Sequence, residues 1–199
     1  VRDKGVLMFK LKKYQQTTIQ KLESYLKQTK KLEENGVVDS YKIIFNLLKP
    51  DTENDYKSSD PDLEVPFICI KIPTGGGKTV VACNMLNIVH ENYIEFDHTG
   101  LVIWLVPSDT IRTQTLKSLR DRNHPYRETL DKHFQNNVKI FDVDEALKNL
   151  KKSDIENNLS IIVSTMSAFR RKQQNKKNLR VFQGNENLDD FFQNILLLF

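Results

Sequence analysis

The spacing of apolar residues in the first third of the chain predicts two helices followed by a loop. Between residue 16 and about residue 34, apolar positions recur at near-helical spacing among lysines and glutamates, and an Asn-Gly pair ends the pattern. A second helix is predicted over residues 40–48 and ends there because the residue before Pro50 avoids the α region. Residues 51–62 are polar, so we predict an exposed, inserted loop.

The rest of the chain alternates short apolar runs with helical patterns. Four runs are typical of buried strands: residues 67–72, 101–106, 138–141 and 160–164. Helical patterns lie between them over residues 79–89, 109–119 and 142–150. This alternation predicts an α/β fold with an open, mostly parallel sheet and helices on both faces. We therefore predict an N-terminal helical segment, residues 1–65, and an α/β domain, residues 66–199.

The composition is that of an ordinary globular protein, with 39% hydrophobic and 28% charged residues. Neither a membrane span nor a secretory signal is evident, so no membrane association and a cytoplasmic location are expected. Cys69 lies in an apolar run and Cys83 in a helical pattern, so both are expected in the core, and no metal-ligand spacing exists. A net charge of +4 permits a nucleic-acid partner without requiring one.

A glycine-rich loop is predicted between the first strand and the helix that follows it. Its residues are Thr74, Gly75, Gly76, Gly77, Lys78 and Thr79. Consecutive glycines allow positive φ angles, so successive N–H groups can point into one concavity that holds phosphate oxygens, aided by the helix N-terminus. Lys78 can reach the β and γ phosphates of ATP, and the Thr79 hydroxyl can bind Mg²⁺. Ile72 stands where the usual pattern has Gly or Ala.

Residues 73–79 resemble motif I of superfamily 2 helicases, and one upstream and two downstream segments are similar to other motifs of that family. Residues 11–15, Leu-Lys-Lys-Tyr-Gln, look like an element whose glutamine reads the adenine edge. The resemblance implies that role for Gln15, with Gln16 as a second possibility. A solvated helix start is the alternative interpretation of this segment.

Residues 101–108 resemble motif Ia, and residues 160–165 resemble the strand that precedes motif II. The resemblance implies contacts with the nucleic-acid backbone at Pro107, Ser108, Gln114 and Thr165, and Arg112 is a candidate to add positive charge there. A simple helix cap by Ser108 or by the following aspartate is the alternative, and both can hold together. The set of motifs is most similar to the Res subunit of type III restriction enzymes.

The Asp-Glu pair that this family uses for hydrolysis has one local counterpart, Asp144-Glu145. It precedes Thr165, which reverses the family order, and Asp142 with Glu145 three residues later is predicted to be a capping box. Motif II is therefore expected at or after residues 196–199, and this chain alone is expected to bind ATP with hardly any turnover. The basic residues within 170–180 either follow a phosphate backbone or form a solvated loop.

The resemblance implies a P-loop, RecA-like three-layer fold, incomplete here, that serves as the first motor lobe of an ATP-dependent DNA helicase or translocase. Its implied partners are DNA, a second motor lobe and a nuclease (endonuclease) domain of the same protein, and a methyltransferase (Mod) subunit. Two alternatives stay open: a P-loop ATPase or nucleotide switch that does not act on DNA, and a non-catalytic interaction module that keeps a nucleotide pocket.

Overall fold

A computed structural model gives the fold of the chain and describes residues 10–49, 56, 65–94 and 99–169. The chain forms two compact units, residues 1–95 and 96–199. The first contains the N-terminal helices and the glycine-rich loop, and the second contains the sheet. The domain boundary predicted after residue 65 stays a prediction.

In the part that the structure describes, the first unit has three α-helices: α1 (Lys13–Glu34), α2 (Ser40–Leu48) and α3 (Lys78–Val89). A π-helical turn, His90–Ile94, extends α3. Helix α1 starts three residues before the predicted position and ends as predicted. At its end Gly36 has a φ of 75°, and the Val37 N–H donates to the Leu32 carbonyl at 3.0 Å. Leu22 and Leu26 bury the apolar face of α1, which contacts α2 and α3.

The described residues of the second unit contain a three-stranded parallel sheet with the strand order β1-β3-β2. Its strands are β1 (Gly100–Val106), β2 (Val138–Asp142) and β3 (Leu159–Thr165). Its helices are α4 (Asp109–Arg120), α5 (Pro125–His133), α6 (Val143–Asn149), α7 (Lys152–Asn157) and α8 (Met166–Phe169). The central strand β3 is buried along its whole length, which explains its continuous apolar character. The predicted α/β fold with a parallel sheet is confirmed.

Three of the four predicted strands and all the predicted helices are present, whereas α5, α7 and α8 were not predicted. Helices α7 and α8 have only six and four residues, too few for an apolar period to show. Helix α5 begins with Pro125 after His124, whose ring nitrogen Nδ1 accepts the Tyr126 N–H at 3.3 Å. Histidine is an unusual capping residue, so this start carried no recognisable signal.

The strand predicted over residues 67–72 is wrong. Residues 66–73 have no regular structure and pair with no strand, and Phe67 and Ile68 are exposed. The Phe67 N–H donates to the Tyr56 hydroxyl. An apolar run becomes a strand only where another strand supplies hydrogen-bond partners, and the run itself does not reveal whether one does.

The placement of Cys69 in the core is wrong for the same reason, since it lies in this segment and is exposed. Cys83 is buried on α3 as predicted, and burial raises the pKa of its thiol to about 12. Of the predicted loop over residues 51–62 only residue 56 is described, and the basic stretch 170–180 and residues 196–199 lie outside the described residues. In the part of the chain that the structure describes, no helix is long and apolar enough to cross a bilayer.

Candidate nucleotide-binding site

The glycine-rich loop is a tight, non-helical bend between residue 73 and the start of α3. The Gly76 N–H donates to the Pro73 carbonyl at 2.9 Å, which closes the turn. Gly75 and Gly77 have φ angles of 73° and 75°, in the left-handed region that side chains disfavour. At Gly76 the constraint is space, because a Cβ there would lie 2.6 Å from Cγ2 of Ile72. The sequence of three glycines is therefore required by this backbone path.

Helix α3 presents free amides at the end of this bend. Its first hydrogen bond runs from the Val81 N–H to the Gly77 carbonyl at 3.1 Å. The N–H groups of Lys78, Thr79 and Val80 precede this bond and have no partner inside the helix. Together with the positive end of the helix dipole, they form the kind of N-terminus that binds anions.

Lys78 and Thr79 place an ammonium group and a hydroxyl group at the same helix start. The Lys78 ammonium folds back over the loop and donates to the Pro73 carbonyl at 3.2 Å, and the side chain is exposed. Thr79 is half-buried in the first turn of α3. A cation, a hydroxyl and several amides are the donor set that a magnesium–triphosphate complex requires. Gly75 is exposed, and a Cβ built on it meets no atom within 4 Å, which leaves room beside the loop.

The start of α1 contacts the loop through a single carbonyl group. The Gly76 carbonyl accepts hydrogen bonds from the Tyr14 hydroxyl at 2.6 Å and from Nε2 of Gln15 at 2.8 Å. Gln15 is 2% exposed, and its Oε1 accepts the Lys12 N–H at 2.8 Å at the N-terminus of α1. The adenine contact of Gln15 stays a prediction. The role of Tyr14 was missed, because no local pattern reports a contact across 62 residues.

Three of the predicted nucleic-acid residues meet at one edge of the sheet in the second unit. Pro107 and Ser108 directly follow β1, and Thr165 is the last residue of β3. These strands are parallel neighbours in which Val106 is paired with Thr165, so their carboxyl ends coincide. The predicted cap is confirmed, since Oγ of Ser108 accepts the Ile111 N–H at 3.4 Å.

The five predicted contact residues differ in how free their side chains are. Pro107, Ser108 and Gln114 are exposed, whereas Thr165 is 3% exposed and its Oγ1 accepts the Ala168 N–H at 3.3 Å. Arg112 is half-buried and forms ion pairs with Asp109, at 3.0 Å, and with Asp142. The pairing of Arg112 with Asp142 was not predicted. The nucleic-acid contacts themselves stay predictions.

Asp142 and Glu145 form the predicted capping box at the start of α6. An oxygen of Asp142 accepts the Asp144 N–H at 3.0 Å, and Glu145 accepts the Asp142 N–H at 2.8 Å. This backbone hydrogen bond, followed by the ion pair with Arg120, lowers the pKa of the Glu145 carboxyl group. The pair Asp144-Glu145 thus serves a helix terminus, as predicted. No group of three or more His, Cys, Asp or Glu side chains in the described ranges could hold a metal ion.

Comparison with known proteins gives one finding that agrees with this geometry. A family model described as type III restriction enzyme, res subunit, matches residues 8–196. The match covers both the glycine-rich loop and the sheet with its two carboxyl-end motifs. No curated protein and no solved structure shows significant similarity to the chain.

Proposed function

Because the chain belongs to the Res-subunit family of type III restriction enzymes, whose members are helicase-like ATP-dependent motors, we propose that it is an ATP-binding motor lobe of a DNA translocase or helicase. The observation that carries the proposal is the loop over residues 73–77, with two left-handed glycines and α3 starting at Lys78. This is the form of a phosphate-binding P-loop, and the α/β fold with its parallel sheet is consistent with the RecA-like motors.

In this proposal the loop and the first turn of α3 hold the triphosphate of ATP. The amides of Lys78, Thr79 and Val80 donate to phosphate oxygens, and the Lys78 ammonium balances the charge on the β and γ phosphates. The Thr79 hydroxyl is a ligand for Mg²⁺, which usually takes few protein ligands and keeps waters and phosphate oxygens. ATP supplies the phosphoryl group, and the residues of this chain orient it and neutralise its charge.

Binding of a fluorescent ATP analogue in the presence of Mg²⁺ tests this part of the proposal. Lys78→Ala removes the ammonium group at the loop and is expected to abolish binding. Lys21→Ala is the matched control, because it removes an exposed ammonium group from α1 in the same compact unit. Equal binding by Lys78→Ala and by the unchanged protein would overturn the assignment.

DNA is the proposed track of the motor, and the carboxyl edge of β1 and β3 is its proposed contact surface. Support comes from Pro107, Ser108 and Thr165, which lie together at this edge. The first-turn amides of α4 and the Ser108 hydroxyl are donors suited to a phosphate oxygen. A second motor lobe, a nuclease domain, a methyltransferase (Mod) partner and a cytoplasmic location are further parts of the proposal that rest on the family alone.

Fluorescence anisotropy with a labelled DNA oligonucleotide tests the proposed surface. Gln114→Glu adds a negative charge to the exposed face of α4 and is expected to weaken binding. Gln28→Glu, which makes the same change on an exposed position of α1, is the control and should bind as the unchanged protein does. Binding of ATP with no binding of DNA would favour the alternative, a P-loop protein that does not act on DNA.

A further inference from the structure

The Gly76 carbonyl receives two hydrogen bonds from adjacent residues of α1. The Tyr14 hydroxyl lies 2.6 Å from this oxygen and Nε2 of Gln15 lies 2.8 Å from it. A carbonyl oxygen has two lone pairs, so these two donors use its full capacity. One turn of a 22-residue helix therefore fixes the middle of the glycine-rich loop.

Fixing this carbonyl also fixes the amide that follows it. The C=O of Gly76 and the N–H of Gly77 belong to one peptide plane, and none of the described peptide bonds is cis. In a trans peptide the two groups point in opposite directions, so the Gly77 N–H is directed away from Tyr14 and Gln15. The contact with α1 thus sets the direction of an amide in the loop that we propose to bind phosphate.

The carboxamide of Gln15 is committed at both ends. Its Oε1 accepts the Lys12 N–H at 2.8 Å and its Nε2 donates to Gly76, and the residue is 2% exposed. These partners define the orientation of the amide, since Lys12 offers a donor and Gly76 an acceptor. Reading an adenine edge needs the same nitrogen and oxygen, and it would compete with these buried hydrogen bonds.

Gly77 is shaped to receive Gln15. A Cβ at residue 77 would lie 2.6 Å from Nε2 of Gln15, closer than side-chain atoms can approach. The absence of a side chain at Gly77 is therefore what allows Gln15 to reach the neighbouring carbonyl. The glutamine and the glycine are complementary parts of one contact.

We infer that Gln15 and Tyr14 are positioning residues that hold the phosphate loop through the Gly76 carbonyl, and that Gln15 does not read the base of the nucleotide. The inference rests on the proposed function, because it assigns these residues to the same phosphate site. Its consequence is that loss of either donor weakens the grip on phosphate groups, whether or not a base is attached to them.

Isothermal titration with Mg·ATP and with Mg·tripolyphosphate, which has no base, separates the two roles. Gln15→Glu replaces the donor nitrogen by an acceptor, and we expect the affinity for both ligands to fall by the same factor, about tenfold. Tyr14→Phe removes only a hydroxyl from a partly exposed ring, and we expect a fall of about threefold for both. Circular dichroism verifies that each variant is folded, and Tyr14→Phe carries the test if Gln15→Glu is not.

Gln16→Glu is the matched control for charge. It makes the same substitution one residue along α1, where Gln16 is exposed and its Nε2 donates to the Leu11 carbonyl at 3.0 Å. Tripolyphosphate binding by this variant should equal that of the unchanged protein. An equal loss in Gln16→Glu and Gln15→Glu would show a charge effect and overturn the inference.

The remaining outcomes are distinct. If Gln15→Glu weakens binding of ATP but not of tripolyphosphate, Gln15 reads the base and the inference is wrong. If folded Gln15→Glu and Tyr14→Phe bind both ligands like the unchanged protein, the loop does not depend on α1 and the inference is also wrong. If the unchanged protein binds neither ligand, the proposed function itself fails.

Discussion

Substitution of Gly77 by alanine should lower the free energy of unfolding more than the same substitution at Gly36 or Gly75. Gly36, Gly75 and Gly77 have φ angles of 75°, 73° and 75°, so an alanine pays the same backbone penalty at each. That penalty is about 1–2 kcal/mol. Added Cβ atoms at Gly36 and Gly75 meet nothing within 4 Å, so no further cost arises there.

At Gly77 a second cost is added to the backbone penalty. The new Cβ would lie 2.6 Å from Nε2 of Gln15 and 3.1 Å from Cγ1 of Val80, so the glutamine has to move off the Gly76 carbonyl. Leaving the buried side-chain amide of Gln15 without its acceptor costs about 1–3 kcal/mol. The free energy of unfolding should therefore fall by about 2–5 kcal/mol in Gly77→Ala, the sum of the two costs.

Urea denaturation followed by circular dichroism measures these differences. The entropy that alanine removes from the unfolded chain is the same at each position, so it cancels when the variants are compared. Gly36→Ala is the control: it reports the backbone penalty alone and should bind ATP as the unchanged protein does. If Gly77→Ala is no less stable than Gly36→Ala, the contact with Gln15 does not restrict the residue at position 77.

Two further predictions concern charged groups of the second unit. Arg127 is 5% exposed, pairs with Asp131 at 2.8 Å and donates to two main-chain carbonyls. Arg127→Leu should therefore lower the free energy of unfolding, measured by urea denaturation, by about 3–5 kcal/mol. A loss below about 1 kcal/mol would contradict this. The pKa of Glu145 is lowered by the Asp142 N–H and then by Arg120, so its stabilisation is present above its ordinary value of 4.5 and is lost as the pH falls below it. Glu145→Gln keeps an acceptor for the cap but has no charge to lose. Between about pH 5 and pH 3, the free energy of unfolding of this variant should therefore fall less than that of the unchanged protein. Parallel curves of the free energy of unfolding against pH for the two proteins would refute the role of the charge.

The elements that the sequence predicted correctly are those whose signals are local. Helix α2 is present with the predicted bounds. The strand over residues 100–106 is one residue longer than the predicted run at its start, and the strand over 159–165 is one residue longer at each end. Burial on both faces gives such central strands a continuous apolar sequence. The capping box of Asp142 and Glu145 was likewise readable, because its two partners are three residues apart.

The features that escaped prediction depend on partners far away in the chain. Residues 67–72 have the composition of a strand, but strand formation requires a neighbour that the run itself does not specify. The contact of Tyr14 with Gly76 and the ion pair of Arg112 with Asp142 span 62 and 30 residues. In both cases the partner was decided by tertiary packing, which the local sequence does not report.

The ion pairs of Arg112 change what the carboxyl edge of β1 and β3 can offer to DNA. Arg112 carries one positive charge, and its partners Asp109 and Asp142 carry two negative charges. A phosphate that approached Arg112 would have to compete with these carboxylates, so the local field does not attract it. Any contact at this edge must therefore rely on neutral donors, namely the first-turn amides of α4 and the Ser108 hydroxyl. Neutral donors release few counterions, so salt-dependent binding of DNA in the proposed function would need positive charge from other residues; the sequence over 170–180 has six arginines and lysines.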